Sequence, residues 1–154
     1  MIVLRTFSKA YGLAGARTGY GIVSNDIAED SIFTKWNLPY DSNNIGAILA
    51  PLVLEDQEHM QFVREETNRL RTQIEDAINS NSNLRYVRGS VTNTLIAKCK
   101  NPKFKLVTEL ANNGMVVCDQ DRYMGTGGKG YSRITVGREN EVKTLCDALR
   151  EFRG

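Results

Sequence analysis

A lysine flanked by hydroxyls opens the most reactive run in the chain: Thr6-Phe7-Ser8-Lys9-Ala10-Tyr11-Gly12-Leu13-Ala14-Gly15-Ala16-Arg17. Its side chains offer one amine, the two aliphatic hydroxyls of Thr6 and Ser8, and one guanidinium. A deprotonated lysine amine attacks an aldehyde; an ordinary lysine titrates near ~10.4, and burial or neighbouring cations are what free its lone pair at neutral pH. A guanidinium presents a planar fork to an anion with several oxygens, and hydroxyls add donors around it. Gly12 and Gly15 suit tight reversal and close approach of another molecule. The apolar residues Ile2–Leu4 just before the run place it at the end of a strand.

A second run with chemical content is Tyr131-Ser132-Arg133-Ile134-Thr135-Val136-Gly137. Arg133 sits among β-branched residues of strand character, where burying a charge is costly unless an anion neutralises it. That anion can be a ligand, or a carboxylate in a structural ion pair on an edge strand. Asn93 falls in Ser90-Val91-Thr92-Asn93, a turn leading into a strand, and turn chemistry alone explains its type. Gly125-Thr126-Gly127-Gly128-Lys129-Gly130 resembles a phosphate loop only superficially. Lys129 is followed by glycine and a strand instead of Ser/Thr and a helix, so a hairpin loop is expected.

The elements that must carry these residues alternate between strand and helix. Ile2–Thr6 and Tyr20–Val23 read as short buried strands bracketing the lysine loop. Ser24-Asn25-Asp26 starts a short helical segment ending near Trp36, and Pro39 keeps Asn37–Asp41 extended, where Leu38 and Tyr40 could line a site as readily as pack a loop. Ile45, Ile48, Leu49, Leu52 and Val53 share one face of a helix bent at Pro51. A longer helix over 57–79 carries Met60, Val63, Thr67, Leu70, Ile74 and Ala77 along its seam. After the polar turn 79–83, strands at Leu84–Val87 and Thr94–Cys99, a short helix ended by Asn112-Asn113-Gly114, strands at Met115–Cys118 and Arg133–Val136, and a helix from Glu139 to Phe152 complete a β-β-α-β-β-α unit. Its expected form is an α/β sandwich with helices on one face of a mainly antiparallel sheet. The domain boundary is placed near residue 57, dividing 1–56 from 57–154.

Bulk composition narrows the function classes. The chain has 154 residues, a net charge of +2 and 41% hydrophobic residues, enough for a real core but no basic patch for nucleic acid. No apolar run approaches the ~20 residues of a membrane span. Cys99, Cys118 and Cys146 are widely spaced and odd in number, which suits free thiols in a reducing cytoplasm. The lone histidine, His59, offers no basis for a metal cluster, and no metal site is expected.

The lysine run and the R-I-T-V-G run, in this order, resemble pyridoxal-phosphate-dependent aminotransferases of fold type I, and within them the histidinol-phosphate aminotransferase family. The resemblance implies that Lys9 is the catalytic residue that binds pyridoxal phosphate covalently, that Thr6, Ser8 and Arg17 hold the cofactor phosphate, and that Arg133 binds the substrate carboxylate with Asn93 near bound substrate. It implies a remnant of the large cofactor-binding domain over 1–56, then an interdomain helix and a small C-terminal domain over 57–154. Such a family member is longer and keeps upstream an aspartate facing the pyridine nitrogen, a stacking aromatic ring, a glycine-rich phosphate turn and a tyrosine. The expectation is therefore a C-terminal portion of a cytoplasmic homodimer, inactive in isolation, acting on histidinol phosphate with 2-oxoglutarate. Aromatic amino acid aminotransferases and threonine-phosphate decarboxylase share nearly all these residues. A non-catalytic α/β module retaining relic motifs and, more weakly, a nucleotide-binding module remain as alternatives from other classes.

Overall fold

The computed structural model describes residues 1–29, 43–121, 123 and 129–154. They form two compact units, Met1–Arg64 and Glu65–Gly154. Trp36, the extended segment 37–41 and most of the glycine loop lie outside the described residues.

The first unit begins with a two-stranded antiparallel ribbon, β1 (Ile2–Thr6) and β2 (Gly19–Val23), in register from Ile2 opposite Val23 to Thr6 opposite Gly19. The strands occur where the sequence places them, but they are not buried. Ile2, Leu4, Tyr20 and Ile22 are all exposed. The reason is architectural: β1 and β2 pair only with each other among the described residues, and a lone ribbon has no second layer to cover its faces. A short helix, α1 (Asn25–Ala28), follows with Ser24 at its N-cap. Helix α2 (Asn44–Glu55) contains Pro51 and starts at Asn43, whose side chain accepts a hydrogen bond from the Gly46 amide. Its apolar face is likewise open, with Ile45, Ile48 and Leu52 exposed.

Helix α3 (Gln57–Ser80) leads into the second unit and buries Leu70, Ile74, Ala77 and Ile78 there. Strands β3 (Leu84–Val87), β4 (Thr94–Cys99), β5 (Cys118–Asp119) and β6 (Tyr131–Thr135) form a fully antiparallel sheet in the order β3-β4-β6-β5. Helices α4 (Leu106–Asn112) and α5 (Glu139–Glu151) supply Leu106, Leu110, Val142, Leu145, Cys146 and Leu149 to the same core. The strand alternation is clean. Leu84, Tyr86, Leu95, Ala97, Cys99, Ser132 and Ile134 are buried, while their sequence neighbours face outward. One sheet face is therefore packed under helices and the other is open, the expected α/β sandwich.

Two local stops explain the chain path. Helix α4 ends as the glycine signal predicts: Gly114 has φ 76°, its amide bonds to Ala111 O at 3.0 Å, and Met115 N bonds to Leu110 O at 2.8 Å. The polar turn after α3 holds more than expected. Asn81 is buried, and its Nδ2 donates to the carbonyls of Leu149 (2.9 Å), Arg150 (3.2 Å) and Phe152 (2.9 Å), closing the C-terminal end of α5.

Candidate active site

The lysine loop is built from the ribbon outward. Thr6 faces Gly19 as the last pair of the ladder, and Phe7 N continues it by donating to Thr18 O at 3.1 Å. Ser8 and Arg17 are thus the first residues beyond this clasp on either side. Phe7 plugs the base of the loop, 2% exposed, against the rings of Tyr11 and Tyr20 at centroid distances of 5.1 and 5.5 Å. Leu13 N returns to Phe7 O at 2.9 Å and Gly12 N to Lys9 O at 2.9 Å, so the backbone after the lysine is curled tightly on itself. Gly12 has φ 71°, and Arg17 has φ 49°, a left-handed conformation uncommon for an arginine.

Thr6 and Ser8 come together. Thr6 Oγ1 lies 3.0 Å from Ser8 Oγ and accepts from Ser8 N at 3.1 Å. Arg17 does not join them through its side chain; its Nη1 donates to Ala14 O at 3.1 Å. Lys9 is exposed, as are Thr6 and Arg17, so these residues do not bury the amine, contrary to the burial expected for a reactive lysine. The donor set nonetheless fits a phosphorylated aldehyde cofactor. Two hydroxyls sit side by side, three cations (Arg5, Lys9, Arg17) lie in or beside the loop, and residues 1–25 contain no Asp or Glu to compete for them. The loop is braced from behind by α2: Asn43 Nδ2 donates to Ala16 O, and Gly46 packs so closely that a Cβ there would lie 1.7 Å from Thr18 Oγ1.

The second unit carries the other arginine. Arg133 lies on β6, an interior strand, opposite Ile96 of β4 and Cys118 of β5. It is exposed on the open sheet face and has no ion pair among the described residues. The cost of burial anticipated from the sequence does not arise, and the structural ion pair on an edge strand is absent there. By register, Arg85 and Lys98 share this face with Arg133, and among the described strand residues no carboxylate lies on it. Lys98 Nζ donates to Tyr131 Oη at 3.1 Å and sits 4.5 Å from the ring centroid. A cleft of about 500 Å³ borders Arg133, with Cys118, Thr135, Val117, Gly137 and Glu141 among its walls.

Asn93 continues the β4–β6 ladder by one step, its carbonyl accepting from Val136 N at 2.9 Å. It therefore stands at the same end of the sheet as the segment after Arg133. Asp121, which the sequence gave no reason to select, locks the hairpin behind Arg133. Burial opposes its charge, but the amides of Gly130 and Tyr131 and the ammonium of Lys105 outweigh that and hold its carboxyl below the usual range. Cys118 is half-buried, whereas Cys99 and Cys146 are buried, and desolvation raises both of their thiol pKa values.

The chain joins a lysine loop on a strand end to an antiparallel sheet packed under helices, and comparison with known proteins gives the family. Residues 1–149 match the family model "Aminotransferase class I and II", and the chain belongs to that family. Among curated relatives, histidinol-phosphate aminotransferase 1 of Nitrosococcus oceani is 32% identical over 157 residues, covering 99% of this chain and 40% of the relative. The chain thus spans about two-fifths of the length of the relatives it matches. The crystal structure of the histidinol-phosphate aminotransferase from Clostridium acetobutylicum superposes with a TM-score of 0.85 at 18% identity, covering 97% of this chain and 44% of that one. That of L-threonine-O-3-phosphate decarboxylase from Porphyromonas gingivalis gives 0.80 at 21% identity, over 96% of this chain and 45% of that one. At these identities the structures show a common fold.

Proposed function

We propose that the chain is the C-terminal part of a pyridoxal-phosphate-dependent aminotransferase that interconverts histidinol phosphate and imidazole-acetol phosphate, with 2-oxoglutarate and glutamate as the second pair. The observation that carries this reading is the lysine loop: Lys9 follows two adjacent hydroxyls in an acid-free segment clasped by a ribbon. The family match and the relative's name support the chemistry and the substrate.

Pyridoxal phosphate, when bound, supplies an aldehyde for the amine and a ring that delocalises the electron pair left at Cα. The chain's own residues do the rest. Lys9 would hold it covalently, and its Nζ, when free, would remove the proton from the substrate Cα and return one there in the reverse half-reaction. Thr6, Ser8 and Arg17 grip the phosphate, fixing the reacting carbon relative to Nζ. Arg133 orients the substrate by a two-pronged contact with its anion. Glutamate offers a carboxylate there and histidinol phosphate its phosphate ester, so one unpaired guanidinium on a carboxylate-free face suits both partners of the exchange. Asn93 adds an amide at the same end of the sheet. The compartment proposed is the cytoplasm and the assembly a homodimer, the first supported by three free cysteines.

The test is glutamate formation from histidinol phosphate and 2-oxoglutarate by the full-length protein. Borohydride treatment of its yellow form should fix the cofactor on the Lys9 peptide, and Lys9→Ala should lose both. Residues 1–154 alone are expected to show no turnover; robust steady-state activity from that piece would refute the dependence on groups outside it. Phosphate-ester decarboxylation without amino transfer would favour the threonine-phosphate decarboxylase alternative. Cofactor scattered over surface lysines would favour the relic module.

A further inference from the structure

Arg71 has no place in the scheme above, yet it is the one described residue with a buried side-chain nitrogen lacking a partner, its Nε. It projects from α3 toward the turn between β3 and β4. Its Nη1 donates to Ser90 O at 3.1 Å and lies 3.5 Å from Thr92 O. No carboxylate neutralises it among the described residues. A half-buried guanidinium that meets only carbonyls is an expensive way to hold a turn, since burying a charge without a counter-ion opposes folding.

The turn it grips is already cross-linked internally. Ser90 Oγ lies 3.2 Å from Thr92 Oγ1, which in turn lies 2.9 Å from Thr94 Oγ1; Ser90 Oγ also donates to Thr94 O. Thr94 N donates to Thr92 Oγ1 at 3.2 Å. Asn93 is enclosed by these bonds on one side and by its carbonyl bond from Val136 N on the other. Its backbone is thereby fixed while its side-chain amide makes no hydrogen bond among the described residues. Such an arrangement leaves an amide without a hydrogen-bond partner among the described residues, at the end of the sheet where the segment after Arg133 passes.

We infer that Arg71 is a positioning residue for substrate binding: its guanidinium pins the Ser90 and Thr92 carbonyls and so holds Asn93 in place for the substrate, at the end of the sheet where Val136 passes, three residues beyond Arg133. The inference rests on the aminotransferase reading and on Asn93 contacting substrate. Losing charge-assisted contacts of this kind costs on the order of tenfold in binding. In the full-length enzyme, Arg71→Met should raise KM for the amino donor about tenfold while kcat stays within about twofold, and Arg71→Lys should recover part of the loss. Amide exchange across 90–94 should accelerate in Arg71→Met without a matching change in the core strand Thr94–Cys99 beyond its first residue.

A double-substitution cycle separates positioning from bulk stability. On an Asn93→Ala background, Arg71→Met should add less than about twofold to KM, because the group it positions is already gone. A full tenfold penalty on that background, or an unchanged KM in Arg71→Met despite faster exchange at 90–94, would overturn the inference and leave the aminotransferase reading standing. Absence of turnover in the unsubstituted, cofactor-loaded protein would remove that reading, and this inference with it.

Discussion

Asn81→Ala is expected to cost more stability than any other single polar deletion at the surface turns, and the magnitude follows from its contacts. Its Nδ2 satisfies three carbonyls at the end of α5, and those of Leu149 and Phe152 are buried. Alanine removes the side-chain donor of Leu149 O and leaves Phe152 O only the 3.5 Å contact from Asn83 Nδ2, in a place water does not easily reach, at about 1–3 kcal/mol each. Allowing for relaxation, the loss is about 2–4 kcal/mol, or roughly 10–25 °C in the melting temperature of a unit of this size. Asn81→Asp sharpens the test. Its carboxylate would face the same carbonyl oxygens, so the folded state favours the protonated acid and raises that pKa above its unfolded value. Stability of Asn81→Asp should then rise as pH falls through the raised pKa and decline as pH rises through it. Asn81→Ala should instead track the unsubstituted protein's pH profile. Denaturant unfolding monitored by circular dichroism at several pH values measures both. An Asn81→Ala loss below ~0.5 kcal/mol would refute the reasoning.

Three further outcomes are expected. Arg133→Met should raise KM for glutamate and histidinol phosphate by about 30- to 100-fold through loss of a two-pronged charge-assisted contact, with Arg133→Lys intermediate, measured by steady-state kinetics of the full-length enzyme. Gly46→Ala should weaken pyridoxal phosphate retention, because the added Cβ would sit 1.7 Å from Thr18 Oγ1 and displace one end of the lysine loop; equilibrium dialysis of the cofactor reads it. Asp121→Asn should flatten the acid limb of unfolding. The depressed carboxyl contributes stability that is present above its unfolded pKa and lost as pH falls through its folded value, so the difference between variant and parent should vanish at low pH.

The sequence alone determined most of the elements and the chemical vocabulary, although the strand expected over Met115–Cys118 forms instead at Cys118–Asp119. Period-two burial in Leu84–Val87, Thr94–Cys99 and Arg133–Ile134, and the seam of α3, follow from side-chain alternation and helical spacing, which are local properties. Gly114 ended α4 because its left-handed conformation is open mainly to glycine. Lys9, Thr6, Ser8 and Arg17 announced themselves by type and spacing, as did Arg133. What no local pattern carries is which surfaces meet. Tertiary structure decided that β1 and β2 stand as an exposed ribbon, that β6 is interior so that Arg133 lies unpaired on an open face, and that Asp121 clamps the hairpin behind it. It also turned Asn81 from one polar residue among several into the cap of a helix ending 70 residues further on, at Glu151. Hydrogen bonds over such separations exist only once packing has closed the chain, and a sequence lists donors without saying whom they will reach.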